Sequence, residues 1–283
     1  MKSGDMRHAQ QASATVETLQ RAMAAIQSQR PEEAIRLAKD VLDKNPGHPN
    51  ALHIFGYALL MQEQPIDAIE PLEKAYRSLR DPAIETQLAI ALRKAGRTDE
   101  ALKRLARANK KAQPFPAAIH EYGFVLHSLG RSDEAIEVLK SGIESAPWMP
   151  ELPILLGWIF HGRQDGENAK RAFAQAVRSA PNHPDALYGM GFVLMDAGEF
   201  ALAAEHFQQA LRINPNDQEP RLYLAACLLE LGQSGAASAC LRQVTRGGPS
   251  FYGRALKILT NSGRGRFWLQ PSQAVRFFNG ERN

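Results

Sequence analysis

Apolar and small residues recur along the chain with the spacing of one helix face. In one segment, Leu187, Met190, Gly191 and Leu194 fall at positions i, i+3, i+4 and i+7. A second stripe of apolar residues follows Gly198, and a proline ends it. Glycine and proline are typical of helix ends, because glycine adopts a left-handed cap and proline disfavours helical geometry in the residue before it. The pattern predicts two helices joined by a tight turn.

This pair of helices repeats along most of the chain with a period of 34 residues. The small residue that begins each second helix recurs at this interval, with a single step of 33 residues. These anchor positions are Ala34, Ala68, Ala101, Ala135, Ala169, Ala203 and Ala237. A fixed period of this length indicates a repeat protein in which each unit is one supersecondary structure. The sequence therefore predicts seven consecutive helix pairs.

Glycine occupies two kinds of position in these repeats. The positions within first helices are Gly56, Gly123, Gly157 and Gly191. Glycine there costs about 1 kcal/mol relative to alanine, and we expect the close approach of two helices to offset this cost. The positions where first helices must end are Gly96, Gly130, Gly198 and Gly232. These glycines predict left-handed C-terminal caps.

The repeat resembles the tetratricopeptide repeat, whose pattern has Leu-Gly in the first helix and then Ala, Phe, Ala and Pro within 34 residues. The best matches, in the fifth and sixth units, are Leu156, Gly157, Ala169, Phe173, Ala176 and Pro181, and Leu187, Gly191, Ala203, Phe207, Ala210 and Pro215. The resemblance implies an all-α fold. It is expected to be a right-handed α-solenoid superhelix of about seven helix-turn-helix repeats, with a degenerate C-terminal capping hairpin.

The resemblance also implies a division of the chain into three parts. Residues 1–14 are expected to form a polar N-terminal segment, residues 15–251 the repeat array, and residues 252–283 basic capping helices and a tail. The seven repeats are expected to start near residues 15, 49, 82, 116, 150, 184 and 218. Pro271 stands where an eighth anchor alanine would fall, which indicates a degenerate closing hairpin.

In this family the first helices line a concave groove, and the fifth, ninth and twelfth residues of each repeat usually point into it. The resemblance implies a peptide-binding groove formed by His53, Tyr57, Leu60, His120, Phe124, His127, Ile154, Trp158, His161, Tyr188, Phe192 and Met195. None of these residues is an acid, a lysine or an arginine, and contiguous exposed apolar surface marks a binding site. The alternative is that some of these side chains pack against the next repeat.

Composition and charge place the chain among ordinary globular proteins. It has 283 residues, of which 44% are hydrophobic and 23% charged. The first residues lack the apolar run of a secretory signal, and no apolar stretch approaches the roughly 20 residues that span a bilayer. We therefore expect a cytoplasmic protein without a transmembrane segment. Its two cysteines show no disulfide or metal spacing, so reduced, packed thiols are expected.

The formal net charge of +4 is concentrated near the C-terminus. Residues 251–283 contain six lysines and arginines and a single acid. Within them, Arg264 and Arg266 stand beside Phe267 and Trp268, a combination that can stack on and neutralise single-stranded nucleic acid. This cluster is a candidate docking site for an acidic protein, a membrane or, less favoured, nucleic acid. The alternative is that its aromatic rings cover the last helix pair.

The sequence gives no motif for catalysis, a cofactor or a metal. It contains no phosphate-binding Gly-Lys-Ser loop, no His-Glu-x-x-His and no Gly-x-Ser-x-Gly. His120, His127 and His161 are the candidate metal ligands, but no cysteine or carboxylate accompanies them at a suitable spacing. We interpret them as polar residues of the groove.

The sequence therefore predicts a non-catalytic adaptor or scaffold without a cofactor. Its partner would be another protein that inserts a peptide or an amphipathic helix into the apolar groove. The slots that carry Lys and Asn in chaperone-tail-binding members of the family hold His, Tyr, Phe and Trp here, so a carboxylate clamp is not expected. The alternatives are a self-assembling structural protein, or an accessory subunit of an enzyme or a secretion system.

Overall fold

The computed structural model describes residues 2–110, 114–245, 251, 253–255 and 257–258, with side chains from residue 13 onward except that of residue 245. Every regular element in these residues is a helix, which confirms the all-α prediction. The chain forms two compact units, residues 1–138 (unit 1) and residues 139–283 (unit 2). Arg264, Arg266, Phe267 and Trp268 lie outside the described residues, and so does Pro271.

The helices follow the predicted period. Unit 1 contains α1 Lys2–Gln27, α2 Pro31–Leu42, α3 Pro49–Met61, α4 Pro65–Leu79, α5 Pro82–Lys94, α6 Thr98–Asn109 and α7 Pro116–Ser128. The helix α8, Ser132–Ser145, contains the boundary between the units. Unit 2 contains α9 Glu151–Gly162, α10 Gly166–Ser179, α11 Pro184–Asp196, α12 Phe200–Ile213, α13 Gln218–Glu230 and α14 Ser234–Thr245. Residues 251, 253–255, 257 and 258 are also helical.

Most first helices begin where the repeats were expected to start. The helices α3, α5, α7 and α11 each begin with a proline. Proline suits the first helical position because a backbone N–H there has no partner within the helix, so nothing is lost when proline lacks it. The helix α1 is an exception, because it begins at Lys2 and includes most of the residues assigned to a polar N-terminal segment. The division of the chain into a segment, an array and a tail stays a prediction.

Within each unit, successive helices pack in order, as in an α-solenoid. Each first helix also contacts the next first helix, from α1 to α3, α5 and α7 in unit 1 and from α9 to α11 and α13 in unit 2. The second helices do not contact one another to this extent in the described part of the chain. The first helices therefore lie on the inner side of each unit. We call the surface that they form the inner face of that unit.

Two glycines in unit 2 leave space for the aromatic ring of a second helix to pack between two first helices. Phe173, on the second helix α10, is fully buried and lies between Gly157 on α9 and Gly189 on α11. A methyl group added at Gly157 would lie 2.8 Å from the ring, and one added at Gly189 would lie 2.2 Å from it. Close packing thus explains the mid-helix glycines, because the ring occupies the space that a side chain would need.

The turns that end first helices use a left-handed residue, as the sequence predicts at four glycines. Gly96, Gly130, Gly198 and Gly232 all have φ between 76° and 81°. Other repeats place a longer residue in this conformation, with φ of 55° at Gln29 and Glu63 and 60° at Gln164. Sequence reasoning did not identify these positions, because residues other than glycine rarely adopt this geometry.

Candidate protein-binding site

The predicted groove residues of unit 2 lie on two successive first helices. α9 supplies Trp158 and His161, and α11 supplies Tyr188, Phe192 and Met195; all five are half-buried. The predicted groove residue Ile154 is only 9% exposed and belongs to a core cluster with Phe173. It therefore contributes more to the packing of the repeat than to an accessible surface.

Four rings of the inner face of unit 2 form a continuous patch, which we call the aromatic cluster: Trp158, Tyr188, Phe192 and Tyr223. The ring centroids of Trp158 and Phe192 are 5.7 Å apart, and those of Phe192 and Tyr223 are 4.9 Å apart, both in edge-on geometry. Tyr188 lies within 6.0 Å of each of the other three rings. Such pairs contribute about 0.5–1.5 kcal/mol beyond their buried area. The cluster is therefore a rigid surface.

The aromatic cluster rests on fully buried rings of the second helices. Trp158 packs edge-on against Phe173 at 5.0 Å, and Tyr223 stacks on Phe207 at 6.1 Å. Burial raises the pKa of the Tyr188 hydroxyl, so Tyr188 stays protonated at neutral pH. All four residues of the aromatic cluster are half-buried. These contacts show the packing of the four rings, and their role in lining a binding groove stays a prediction.

Tyr223 is a member of the aromatic cluster that sequence reasoning missed. The family pattern selects Leu222 as the fifth residue of the seventh repeat, but Leu222 is only 1% exposed. The next residue along α13, Tyr223, lies on the inner face instead. An aromatic residue directly after a leucine at the fifth position was the available signal.

Charged groups lie at two sides of the aromatic cluster. On one side the His161 ring packs against Trp158 and Phe192, and its Nε2 lies 2.8 Å from Asp196 Oδ2. On the other side Arg254 pairs with Glu219 and donates a hydrogen bond to the Tyr223 hydroxyl at 3.3 Å. A cavity of about 750 Å³ adjoins the first side, and its wall includes His161, Asp196, Lys170 and Glu199.

The inner face of unit 1 carries an ion pair beside an aromatic ring. Phe124 is 37% exposed, and the guanidinium group of Arg93 lies 4.7 Å from its ring. Arg93 Nε also donates to Glu121 Oε1 at 2.6 Å. Burial raises the pKa of the Glu121 carboxyl, and the contact with Arg93 opposes that shift. The predicted groove residue Phe124 is thus exposed and has a charged neighbour on the preceding first helix.

The other predicted residues of unit 1 divide between core and surface. Tyr57 is half-buried, whereas Leu60 is 7% exposed and belongs to a core cluster. His53 Nε2 lies 2.8 Å from Gln87 Oε1, and burial lowers the pKa of its imidazole. His127 Nδ1 lies 3.0 Å from the Ser132 hydroxyl, and His120 is half-buried. No group of three or more potential metal ligands occurs within the described residues.

Two family models, both described as tetratricopeptide repeat, match the sequence. One matches residues 92–159 and 194–259, and the other matches residues 19–81 and 154–218. Together they extend over most of the chain. No curated protein matches it significantly. No helix in the described part of the chain is both long and apolar enough to cross a membrane.

Solved structures share the fold at low sequence identity. A chain of the APC/C hetero-tetramer Cut9–Hcn1 is 16% identical, with a TM-score of 0.65 over 84% of this chain and 48% of that one. A chain of the human IFIT1 dimer with m7Gppp-AAAA is 14% identical, with a TM-score of 0.65 over 94% and 71%. PilF of Pseudomonas aeruginosa is 17% identical, with a TM-score of 0.54 over 87% and 98%. The present chain spans about half the length of the Cut9–Hcn1 chain that it matches. At these identities the likeness shows the fold alone.

Proposed function

The chain belongs to the tetratricopeptide repeat family, and we propose that it is a non-catalytic adaptor that binds an apolar segment of another protein on the inner face of unit 2. Members of this family bind other proteins. The proposal adds the place and the mode of binding. Two free cysteines, one of them buried, fit a reducing compartment such as the cytoplasm.

The aromatic cluster is the observation that carries this proposal. Large rings with few rotatable bonds lose little conformational entropy on binding, and tryptophan and tyrosine are enriched among the residues that dominate interface energetics. The cluster is also held in place before binding, because Phe173 and Phe207 support it from below. A partner would therefore bind a preformed apolar surface, and the protein would lose less conformational entropy on binding.

The surroundings of the aromatic cluster indicate what kind of segment fits. Its centre is apolar, so the partner needs two or more apolar side chains at the spacing of an extended strand or a helix. The pairs His161–Asp196 and Arg254–Glu219 offer polar contacts at the two sides. An amphipathic segment with an apolar centre and polar ends matches this arrangement. We propose it as the ligand class.

The arrangement of polar groups supports a binding role over catalysis. A catalytic site needs a nucleophile or an acid–base pair converging on one cavity with pKa values suited to proton transfer. On the inner faces Arg93 and Arg254 each pair with a carboxylate. Burial raises the pKa of the Cys227 thiol to about 12, which makes it a poor nucleophile at neutral pH.

A peptide selection on the full-length protein tests the proposal. Random twelve-residue peptides would be displayed and selected on the wild type, then screened against Trp158→Leu and Phe192→Leu. Trp148→Leu is the matched control, because Trp148 lies in the turn after α8 and is 68% exposed. We expect selected peptides with apolar residues at regular spacing that bind the control but not the two cluster variants. Equal binding to all variants would refute the assignment of the site.

Light scattering separates a self-assembling structural protein from the proposed adaptor. A self-assembling structural protein would grow in mass with concentration in the absence of peptide, and the cluster variants would then remain small if the same face carried self-association. An accessory subunit would bind its enzyme or secretion component through the face identified by the peptides. We expect a mass independent of protein concentration for the adaptor.

A further inference from the structure

A second candidate site lies in unit 1, on the opposite set of helices from the inner face. An open cavity of about 570 Å³ lies between two successive repeats, lined mainly by the second helices α4 and α6 and by Glu85 at the start of α5. We call it the arginine pocket. Its wall is formed by Glu73, Tyr76, Arg77, Arg80, Glu85, Arg104 and Arg107. Nothing in the proposed role of the aromatic cluster accounts for this pocket.

The four arginines are held in different ways. Nη2 of Arg77 and Nη2 of Arg104 each lie 3.2 Å from the same atom, Glu73 Oε1. The guanidinium group of Arg80 lies 5.7 Å from the centre of the Tyr76 ring. Arg107 donates from Nε to the backbone carbonyl of Lys103 at 3.3 Å. The single carboxylate of Glu73 therefore serves two arginines, and the exposed side chains of Arg80 and Arg107 are accessible to a ligand.

The pocket carries more positive than negative charge. Four guanidinium groups stand against the carboxyl groups of Glu73 and Glu85, which leaves an excess of two positive charges. Neither Arg80 nor Arg107 has a carboxylate oxygen within 4.0 Å among the residues that the structure describes. Like charges around one cavity repel each other, so an anion bound between them would relieve that repulsion.

Helix ends account for part of this charge, but not for all of it. Arg77 and Arg107 lie in the last turns of α4 and α6, and Arg80 caps α4. Cations are favourable there because the last carbonyl groups of a helix carry partial negative charge. Arg104 lies one turn earlier in α6, where this effect has faded. A helix-end role therefore does not explain why Arg104 completes the ring of four.

We propose that the arginine pocket binds a phosphoryl group carried by a side chain of a partner protein. A phosphoryl group at neutral pH carries close to two negative charges, which matches the excess in the pocket. The planar fork of arginine donates two parallel hydrogen bonds to phosphoryl oxygens. The cavity of about 570 Å³ has room for a phosphorylated side chain together with its neighbouring residues.

The wall of the pocket argues against a nucleic acid. A nucleic-acid strand presents a row of phosphates and is usually met by a continuous basic stripe. Here the positive groups surround one cavity, and Glu73 and Glu85 interrupt them. The single isolated anion of a phosphorylated peptide avoids most of the repulsion that a strand would meet.

Fluorescence anisotropy on the full-length protein tests this proposal. The probe is a labelled peptide library with phosphoserine at the centre and random flanking residues, compared with the same library containing serine. The test variant is Arg80→Gln/Arg107→Gln, because both residues are exposed and neither pairs with a carboxylate. The control is Arg212→Gln, an exposed arginine in the last turn of α12.

We expect the wild type to prefer the phosphoserine library at least tenfold. The Arg80→Gln/Arg107→Gln variant should lose that preference, whereas Arg212→Gln and Trp158→Leu should keep it. Arg80→Lys/Arg107→Lys keeps the charge but removes the planar forks, so it should restore binding only in part. Circular dichroism should show the same helix content for all variants, because the substituted arginines are exposed.

Several results would overturn the proposal. One is equal affinity for the phosphoserine and serine libraries, and another is unchanged affinity in the Arg80→Gln/Arg107→Gln variant. Binding of inorganic phosphate as tightly as the phosphoserine library would identify the ligand as a free anion. Tighter binding of a labelled oligonucleotide, lost in the same double variant, would identify a nucleic-acid site instead.

Discussion

Replacing Gly189 with alanine should destabilise the protein, although alanine is the better helix former. Gly189 lies inside α11, where alanine would gain about 1 kcal/mol from helix propensity alone. The added methyl group would lie 2.2 Å from Cε1, 2.4 Å from Cδ1 and 2.7 Å from Cζ of Phe173. Ordinary carbon–carbon contacts are at about 3.5–4.0 Å. The ring would therefore have to move by more than 1 Å.

Phe173 has no space into which it can move. It is fully buried, and Gly157 packs against its other side, where a methyl group added at Gly157 would lie 2.8–2.9 Å from the Phe173 ring. Trp158 packs against it from the inner face. Overpacking of a closed core costs about 1–3 kcal/mol, and this site belongs at the upper end because three carbons of the ring would lie within 2.7 Å of the added methyl group. After subtracting the helix-propensity gain, we expect a net loss of about 2 kcal/mol.

Urea denaturation followed by circular dichroism measures this loss. With a slope of about 2–3 kcal/mol/M, the midpoint for Gly189→Ala should fall by roughly 0.7–1 M. Gly162→Ala is the control, because Gly162 ends α9 and an added methyl group meets nothing within 4 Å there. Its midpoint should stay the same or rise. In a Phe173→Leu background the penalty of Gly189→Ala should shrink. A Gly189→Ala midpoint equal to or above that of the wild type would refute the packing argument.

Three further predictions concern buried polar groups. His53→Gln should reduce the loss of stability between pH 7 and pH 5, as measured by thermal melts at both pH values. Burial holds the pKa of His53 below its ordinary value of 6.5 in the folded protein, so the unfolded chain binds a proton more readily as the pH falls. Arg93→Ala should lower the free energy of unfolding by about 1–3 kcal/mol because it leaves the Glu121 carboxylate buried without its partner, and Arg93→Ala combined with Glu121→Gln should recover part of that loss in urea. Iodoacetamide should label the half-buried Cys240 before Cys227, whose pKa burial raises to about 12, and mass spectrometry of the native protein showing Cys227 labelled first would contradict this.

The fold could be predicted from the sequence because the same helix-pair pattern occurs seven times. One helix pair is ambiguous, but seven anchors at a constant period fix the register of every pair. The mid-helix glycines and Phe173 follow from the same pattern, because a close approach needs both a missing side chain and a ring that fills the space. The partition into two compact units carries no such periodic signal and was not predicted.

The candidate sites were less predictable, because they depend on how far each helix turns about its axis. One residue along a helix corresponds to about 100°, so Leu222 and Tyr223 lie on different sides of α13, and it is Tyr223 that contacts the rings of the inner face. The contact of Arg93 with Phe124 joins two repeats, and the spacing within one repeat does not predict it. The arginine pocket lies on the second helices, where the family pattern marks no binding position. The sequence therefore carries no signal for this pocket.

If the aromatic cluster binds an apolar segment of a partner, one pair of dissociation constants will show it. The tightest peptide from the selection would be titrated against Trp158→Leu and its matched control Trp148→Leu. We expect Trp158→Leu to weaken binding at least tenfold, which corresponds to about 1.4 kcal/mol or more, while Trp148→Leu stays within twofold of the wild type. Equal dissociation constants for the two variants, both folded by circular dichroism, would contradict it.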